Sequence, residues 1–392
     1  MNKKIFQCKF LLILYAFFIW INSSTLALSI GTTAKSALVF DHETNDVILE
    51  KNADMPLPPA SMSKLMTLNM IFEALRQGQI TLEDEFIVSR KASKKGGSKM
   101  FLREGERVNI KDLILGIIVL SGNDACIVAA EGLAGTEEEF SKRMTRRGKQ
   151  LGLTNSNFTN STGWPDPDHK MSARDLISLA IRIQNEFPEY YKFFAIKEFT
   201  WDNITQKNRN PLLNSDIEAD GLKTGYTQES GYGFVGAVEE NGRRVTFILT
   251  GLPSVKERFR EADKIAKWAL RDFNIFNLAK SGEEIISLPV WIGSRENVNL
   301  QVKDDVKILA PAYSQSKFNA VIVTKSPVVA PIKKGEILGE LIIDVPRSDD
   351  LNQFKKISFP LISGEEITKG GIIARSKAAL EIIYSALVGS DN

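Results

Sequence analysis

Apolar and polar residues along the chain follow two spacings that change place more than once. Residues 34–40 and 46–50 carry the strand pattern on either side of the polar turn Asp41-His42-Glu43-Thr44-Asn45, which predicts a hairpin at a sheet edge. From residue 61 the spacing becomes helical, over 61–76, 111–120, 123–133, 137–151 and 172–185, with clusters of Gly, Pro and Asn between the segments. Strand spacing returns in 233–239 and 243–250, which flank the hairpin signal Glu240-Asn241-Gly242, and a last helix is expected over 255–273. Strands at both ends of residues 29–275 with helices between them predict an α+β unit, one antiparallel sheet covered by helices.

From about Glu284 short alternating runs such as Val298-Asn299-Leu300-Gln301-Val302, punctuated by Pro and Gly, predict a small all-β domain without chemistry of its own. The expected division is 28–275 for the larger domain and 276–370 for the smaller. In the tail, 371–392, Leu380, Ile383, Tyr384 and Leu387 share one helical stripe and Lys377, Glu381 and Ser385 the opposite one. Arg375, Lys377 and Glu381 argue against a membrane span, which leaves an amphipathic helix lying in a membrane surface or packed on its own β domain. At the other end Lys3, Lys4 and Lys9 precede an apolar run from Phe10 to Ile21 and a small-residue stretch ending at Ala27. This reads as a secretory signal peptide over 1–27, and an uncleaved anchor would equally imply export.

Composition adds mostly exclusions. With 43% hydrophobic and 25% charged residues in 392, the chain has ordinary globular usage and room for two folded units. Loss of the first 27 residues removes three lysines and no acid, so the formal +2 becomes −1 and nothing favours nucleic acid. Cys126 is then the single cysteine, inside an apolar stretch, which predicts a buried small hydrophobe and no disulfide. Only His42 and His169 offer imidazole, and both fall in polar loops where solvated side chains are expected. Zinc chemistry and a Ser-His-Asp triad are disfavoured by that scarcity, and no metal or cofactor is expected.

A hydrolase without imidazole must activate its nucleophile differently, and Ser61-Met62-Ser63-Lys64 offers a serine and a lysine on one helix face. Pro58-Pro59 stops a helix from running backwards, so Ser61 is expected in the first turn, near the positive helix end. Lys64 serves as base only when neutral, which calls for burial or a neighbouring cation. The motif alone is weak: Ser314-Gln315-Ser316-Lys317 is a second copy, without a helix pattern after it. Order supplies the specificity, with Ser121-Gly122-Asn123 in an inter-helix turn and Lys223-Thr224-Gly225 entering the central hairpin.

In these stretches, together with Pro165-Asp166-Pro167-Asp168-His169-Lys170-Met171-Ser172-Ala173-Arg174-Asp175 and Pro331-Ile332-Lys333-Lys334-Gly335, the chain resembles the low-molecular-weight penicillin-binding proteins that act as serine D-alanyl-D-alanine carboxypeptidases. The resemblance implies a β-lactamase/transpeptidase-like α+β domain, an all-β C-terminal domain, and a tail on the outer face of the cytoplasmic membrane, hence a periplasmic protein. It implies that Ser61 attacks the peptidoglycan stem peptide or a β-lactam, Lys64 takes the proton and Ser121 relays one to the leaving amine. Asn123, Lys223, Thr224, Gly225 and Tyr226 would bind substrate, with Gly225 leaving room for it and the N–H groups of Ser61 and Tyr226 as oxyanion hole. Arg209 and Arg258 are the candidates for its terminal carboxylate.

Other features have plainer expectations. Asp124 is expected to satisfy backbone N–H groups at a helix start, and the run from Arg90 to Lys95 to be a solvated basic loop. The loop from Trp164 to His169 either walls the cleft or is a rigid Pro-rich connection. A serine β-lactamase shares the three clusters, yet the stretch 164–175 contains no Glu to drive deacylation. A non-catalytic wall-peptide sensor would not need all of Ser61, Lys64, Ser121 and Lys223 intact.

Overall fold

The computed structural model describes residues 30–312, 314, 318–347, 353–372, 376 and 380. The expected signal peptide and most of the expected amphipathic tail lie outside the described residues. Strands β1 (Ser36–Asp41) and β2 (Asp46–Lys51) form the opening hairpin, and a 3-10 turn at Ala60–Ser63 leads into α1 (Lys64–Arg76). Next come β3 (Glu85–Ile87), α2 (Arg90–Lys94), β4 (Arg107–Asn109), α3 (Ile110–Ile118), α4 (Asn123–Ala134), α5 (Glu137–Gln150), α6 (Ala173–Glu186) and α7 (Pro188–Tyr191). The hairpin β5 (Glu198–Trp201) and β6 (Ile204–Lys207) precedes three long strands, β7 (Glu218–Thr227), β8 (Gly231–Glu240) and β9 (Arg243–Leu252), and then α8 (Val255–Arg271).

The central sheet has the antiparallel order β2-β1-β9-β8-β7, which joins the two sequence ends of the unit and leaves β7 at an edge. Successive side chains of a strand point to opposite faces, and the sheet uses this to serve two cores. Leu38, Val235, Ala237 and Ile248 pack with α1, α3, α4 and α6, whereas Ala37, Val39, Phe234, Phe247 and Leu249 pack under α8. Burial on both sides explains why these strands read as nearly continuous apolar runs. The helices start where side-chain oxygens meet free N–H groups: Asn109, Thr136, Ser172 and Ser254 each accept from the N–H three residues on.

The all-β part begins with β10 (Phe273–Ala279), followed by β11 (Glu284–Trp291), β12 (Asn297–Val302), β13 (Val306–Pro311), β14 (Asn319–Thr324), β15 (Val328–Val329), β16 (Ile337–Pro346) and β17 (Phe354–Ser363). Its main sheet, β14-β16-β17-β12-β11-β15, encloses a core of Val298, Leu300, Ile308, Ile343 and Leu361, with β10 and β13 as a separate pair. Ion pairs from Lys307 to Glu43 and from Lys355 to Asp46 tie it to the β1–β2 hairpin. Among the described residues no helix is long and apolar enough to cross a membrane.

Candidate active site

Ser61 lies in the 3-10 turn, one turn before the α-helix in which the spacing places it. The difference matters, because three residues per turn eclipse positions i and i+3. Lys64 therefore stands over Ser61, its Nζ 2.8 Å from Oγ. The turn is closed by the Met62 N–H donating to the Pro59 carbonyl and opens on Ala60 at φ +49°, a conformation that costs a non-glycine residue energy and is found at functional sites.

Lys64 is fully buried and has two further partners, the Asn123 Oδ1 at 2.8 Å and the Thr162 carbonyl oxygen at 2.6 Å. Both can only accept, so each takes an N–H. A neutral amine has two N–H groups and one lone pair, and the lone pair is then left for the Ser61 hydroxyl. Burial above all, with the Arg209 and Lys95 charges adding to it, pushes the Lys64 amine down to about 8.

A second pair sits alongside. Lys223, buried in β7, donates to Ser121 Oγ at 2.9 Å and to the Thr224 carbonyl at 3.2 Å. Burial, and next the charge of Lys64, holds its pKa well below the ordinary lysine value. Ser121 occupies the α3–α4 turn at φ +59°, with Gly122 N–H bonded to the Gly116 carbonyl and Asn123 N–H to that of Ser98. The Asn123 amide nitrogen donates to the Gly96 carbonyl at 2.8 Å, which leaves one N–H of its two for a ligand. Among the described residues Lys64, Lys223, Arg209 and Arg258 have no ion-pair partner, and such unbalanced positive charge suits an anionic ligand.

Arg258, on α8, is 9% exposed, its guanidinium lies 5.7 Å from the Tyr232 ring, and its Nε is buried without a partner. Tyr232 stacks on the exposed Tyr226 at 4.2 Å. Arg209 is exposed and donates to Ser98 Oγ at 2.6 Å, and its charge reaches Arg258. Gly225, expected to make room for substrate, makes room for the turn that carries Ser61: a Cβ there would lie 3.0 Å from the Pro59 carbonyl oxygen and 3.1 Å from the Ala60 Cβ. The hollows of about 620 and 680 Å³ lie elsewhere, beside β2 and beside α5, and hold none of these residues.

Several plainer expectations change. His169 is 2% exposed instead of solvated: its Nδ1 accepts from the Thr159 N–H at 3.2 Å and its ring meets Phe158 edge-on. His42 is half-buried, with Nε2 2.9 Å from Thr246 Oγ1. The basic run is a short helix, α2, and not a loop; Arg90, Lys91 and Lys94 are exposed as expected, with Lys91 paired to Glu137 and Glu138 and Lys95 over the Trp164 ring at 4.4 Å. Asp124 does hold backbone N–H groups, those of Met100 and Leu102 as well as Ala125. Cys126 is buried, and burial pushes its thiol up to about 12. Ser314 is buried and bonded to the Pro311 carbonyl, while the rest of that second motif lies outside the described residues.

Thr162, Gly163 and Gly96 act through backbone atoms, which no pattern of side chains announces. Burial pushes His169 down to about 4. Its folded-state value is depressed, so below about 6.5 the unfolded chain takes up the proton first and stability falls as the pH drops toward 4, by roughly 3 kcal/mol in all. His169→Gln should remove that part of the acid sensitivity, and equal losses of unfolding free energy between pH 7 and pH 4 in both proteins would refute it.

A hydroxyl beneath a buried amine, a second serine–lysine pair and an edge strand beside them are the layout of a serine–lysine hydrolase built on an antiparallel sheet. Residues 23–253 match the D-alanyl-D-alanine carboxypeptidase family and residues 273–369 the penicillin-binding protein 5 C-terminal domain. The chain belongs to the D-alanyl-D-alanine carboxypeptidase family. It is 33% identical over 350 residues to the D-alanyl-D-alanine carboxypeptidase DacC of Escherichia coli (strain K12), covering 87% of this chain and 86% of that one. Penicillin binding protein 5 from Haemophilus influenzae superimposes with a TM-score of 0.72 at 32% identity, over 86% of this chain and 98% of the other. Penicillin-Binding Protein D2 from Listeria monocytogenes, in its ampicillin-bound form, gives 0.55 at 27% identity over 60% and 97%.

Proposed function

We propose that the protein is a serine D-Ala-D-Ala carboxypeptidase that removes the terminal D-Ala of the peptidoglycan pentapeptide through an acyl-enzyme on Ser61, and that β-lactams acylate the same oxygen. The observation that carries this reading is the Lys64 amine, buried, with two of its three neighbours fixed as acceptors and the third the Ser61 hydroxyl. Ser61 Oγ attacks the carbonyl of the penultimate D-Ala and its proton passes to Lys64 Nζ. The oxyanion is held by the N–H groups of Ser61 and Tyr226. When the C–N bond breaks, Ser121 delivers a proton to the departing amine, with Lys223 as its donor neighbour. Water then attacks the ester carbonyl, the shortened peptide leaves as its acid, and Ser61 regains its proton.

Binding follows from the charge and the sheet edge. The D-Ala carboxylate meets the unpartnered guanidinium of Arg258, assisted by Arg209, and the peptide lies along β7 at Thr224 and Tyr226 as an added strand. Asn123 uses its free N–H on a substrate carbonyl and its Oδ1 to place Lys64. The division into a larger domain and an all-β domain is kept as part of the reading, with the expected boundary at 275/276 moved back to the start of β10 at Phe273, because a cut after 275 would divide that strand. Export by the signal peptide, a periplasmic location and attachment of the tail 371–392 to the membrane surface belong to it too. Leu380, on the apolar stripe, is 66% exposed, which favours a surface partner over packing on the β domain.

A labelled β-lactam incubated with the mature protein, followed by peptide mass mapping, tests the assignment. One long-lived adduct on Ser61 and D-Ala release from a wall pentapeptide are expected. An adduct elsewhere, or turnover of the β-lactam faster than the peptide, overturns the reading.

A further inference from the structure

Lys64 is held from one side by the Thr162 carbonyl, so whatever fixes that peptide fixes the base. Segment 161–162 is fully buried and clamped between two helices. From α1, one turn beyond Lys64, Thr67 Oγ1 donates to the Ser161 carbonyl at 2.6 Å. From the first turn of α5, the Glu137 carboxylate accepts at a single oxygen, Oε1, from the Ser161 N–H at 3.1 Å and the Ser161 hydroxyl at 2.7 Å. The other oxygen, Oε2, faces the Lys91 ammonium at 3.0 Å. Asn160 closes the same loop from within, its Oδ1 accepting from the N–H groups of Thr162, Gly163 and Trp164 and from the Thr162 hydroxyl.

We infer that Glu137 is a positioning residue of the reaction, which holds Thr162 against Lys64 through Ser161, with Lys91 as its outer counterion. The inference rests on Lys64 being the base. A buried carboxylate persists only when paired and hydrogen-bonded, and Glu137, 6% exposed, places two of its three bonds on the residue that precedes the Lys64 ligand. A role confined to stability would not require bonds to that segment; α5 is already anchored by its Thr136 cap and by Phe140 and Met144 in the core.

The test compares Glu137→Gln, Glu137→Ala and Lys64→Met in the mature protein, by stopped-flow acylation with a fluorescent penicillin from pH 6 to 10, alongside thermal unfolding. Gln keeps an acceptor for Ser161 but loses Lys91; Ala loses both. Displacing the segment by part of an ångström should lower the acylation rate constant by about 3- to 10-fold in Gln and about 10- to 100-fold in Ala, with the pre-acylation binding constant within about twofold. The limb near pH 8 should move alkaline in Ala, as water reaches the amine. Rate constants within twofold of the parent in both variants, or losses that track the unfolded fraction with an unmoved limb, overturn the inference while an inert Lys64→Met leaves the base assignment intact. Normal acylation by Lys64→Met overturns both.

Discussion

Lys64→Met is expected to lower the rate of Ser61 acylation by at least roughly 10³-fold, by β-lactam and by pentapeptide alike. Methionine is close to lysine in shape, so the loss reports the amine and not the packing. The fold survives because removing a buried cation offsets the two acceptors, Asn123 Oδ1 and the Thr162 carbonyl, that lose their donor. Lys64→Arg should be as inactive, since a guanidinium does not deprotonate in a protein. In the parent protein the amine must be neutral to act. Acylation should rise about tenfold per pH unit from the acid side, bend near the Lys64 value of about 8 and level off above it. Stopped-flow acylation across pH reads all of this. A flat profile between pH 6 and pH 10, or a Lys64→Met protein that acylates within tenfold of the parent, removes the serine–lysine mechanism.

Much of this site was legible because it depends on side chains at fixed offsets. Ser61 and Lys64 are three apart across a 3-10 turn and the first residue of α1, and Ser121 sits in the turn between α3 and α4, so periodicity placed these three at element boundaries, whereas Lys223 lies in the middle of β7. The β7–β9 meander was half legible: the Asn241-Gly242 turn marked β8 and β9, but β7, which carries Lys223, has little apolar alternation of its own. The hairpin of β5 and β6 was overlooked although Asp202-Asn203, at φ +46° and +63°, is the kind of two-residue turn that marks one. His169 and Gly225 went astray for another reason. A polar loop looks solvated until something packs on it, and Phe158 with Thr159 does so here. The neighbour of Gly225 is a turn more than 160 positions earlier in the chain, which no local pattern encodes.

The same blindness applies to Gly163, whose replacement by alanine should damage the protein more than any other single added methyl near the site. Its φ of +77° already favours glycine, and a Cβ would lie 1.9 Å from the Ala60 carbonyl oxygen and 2.7 Å from Ser63 Oγ. Those atoms belong to the 3-10 turn that carries Ser61, pinned in turn by Gly225 on its other side, so the clash cannot be relieved by rotating a side chain. Either the turn or the Thr162 carbonyl must give, and either movement separates Ser61 from Lys64 or Lys64 from its acceptor. Gly152→Ala is the control, because Gly152 has φ +82° and open space where its Cβ would go. That variant should cost about 1 kcal/mol of stability through conformation alone and keep its acylation rate. Gly163→Ala should lose roughly 3 kcal/mol or more and acylate at least about 100-fold more slowly, even at temperatures where it remains folded. Thermal unfolding and acylation measured on the two proteins side by side separate backbone strain from collision. If Gly163→Ala matches Gly152→Ala in both, the close packing of residues 60, 63 and 163 is not what holds the nucleophile in place.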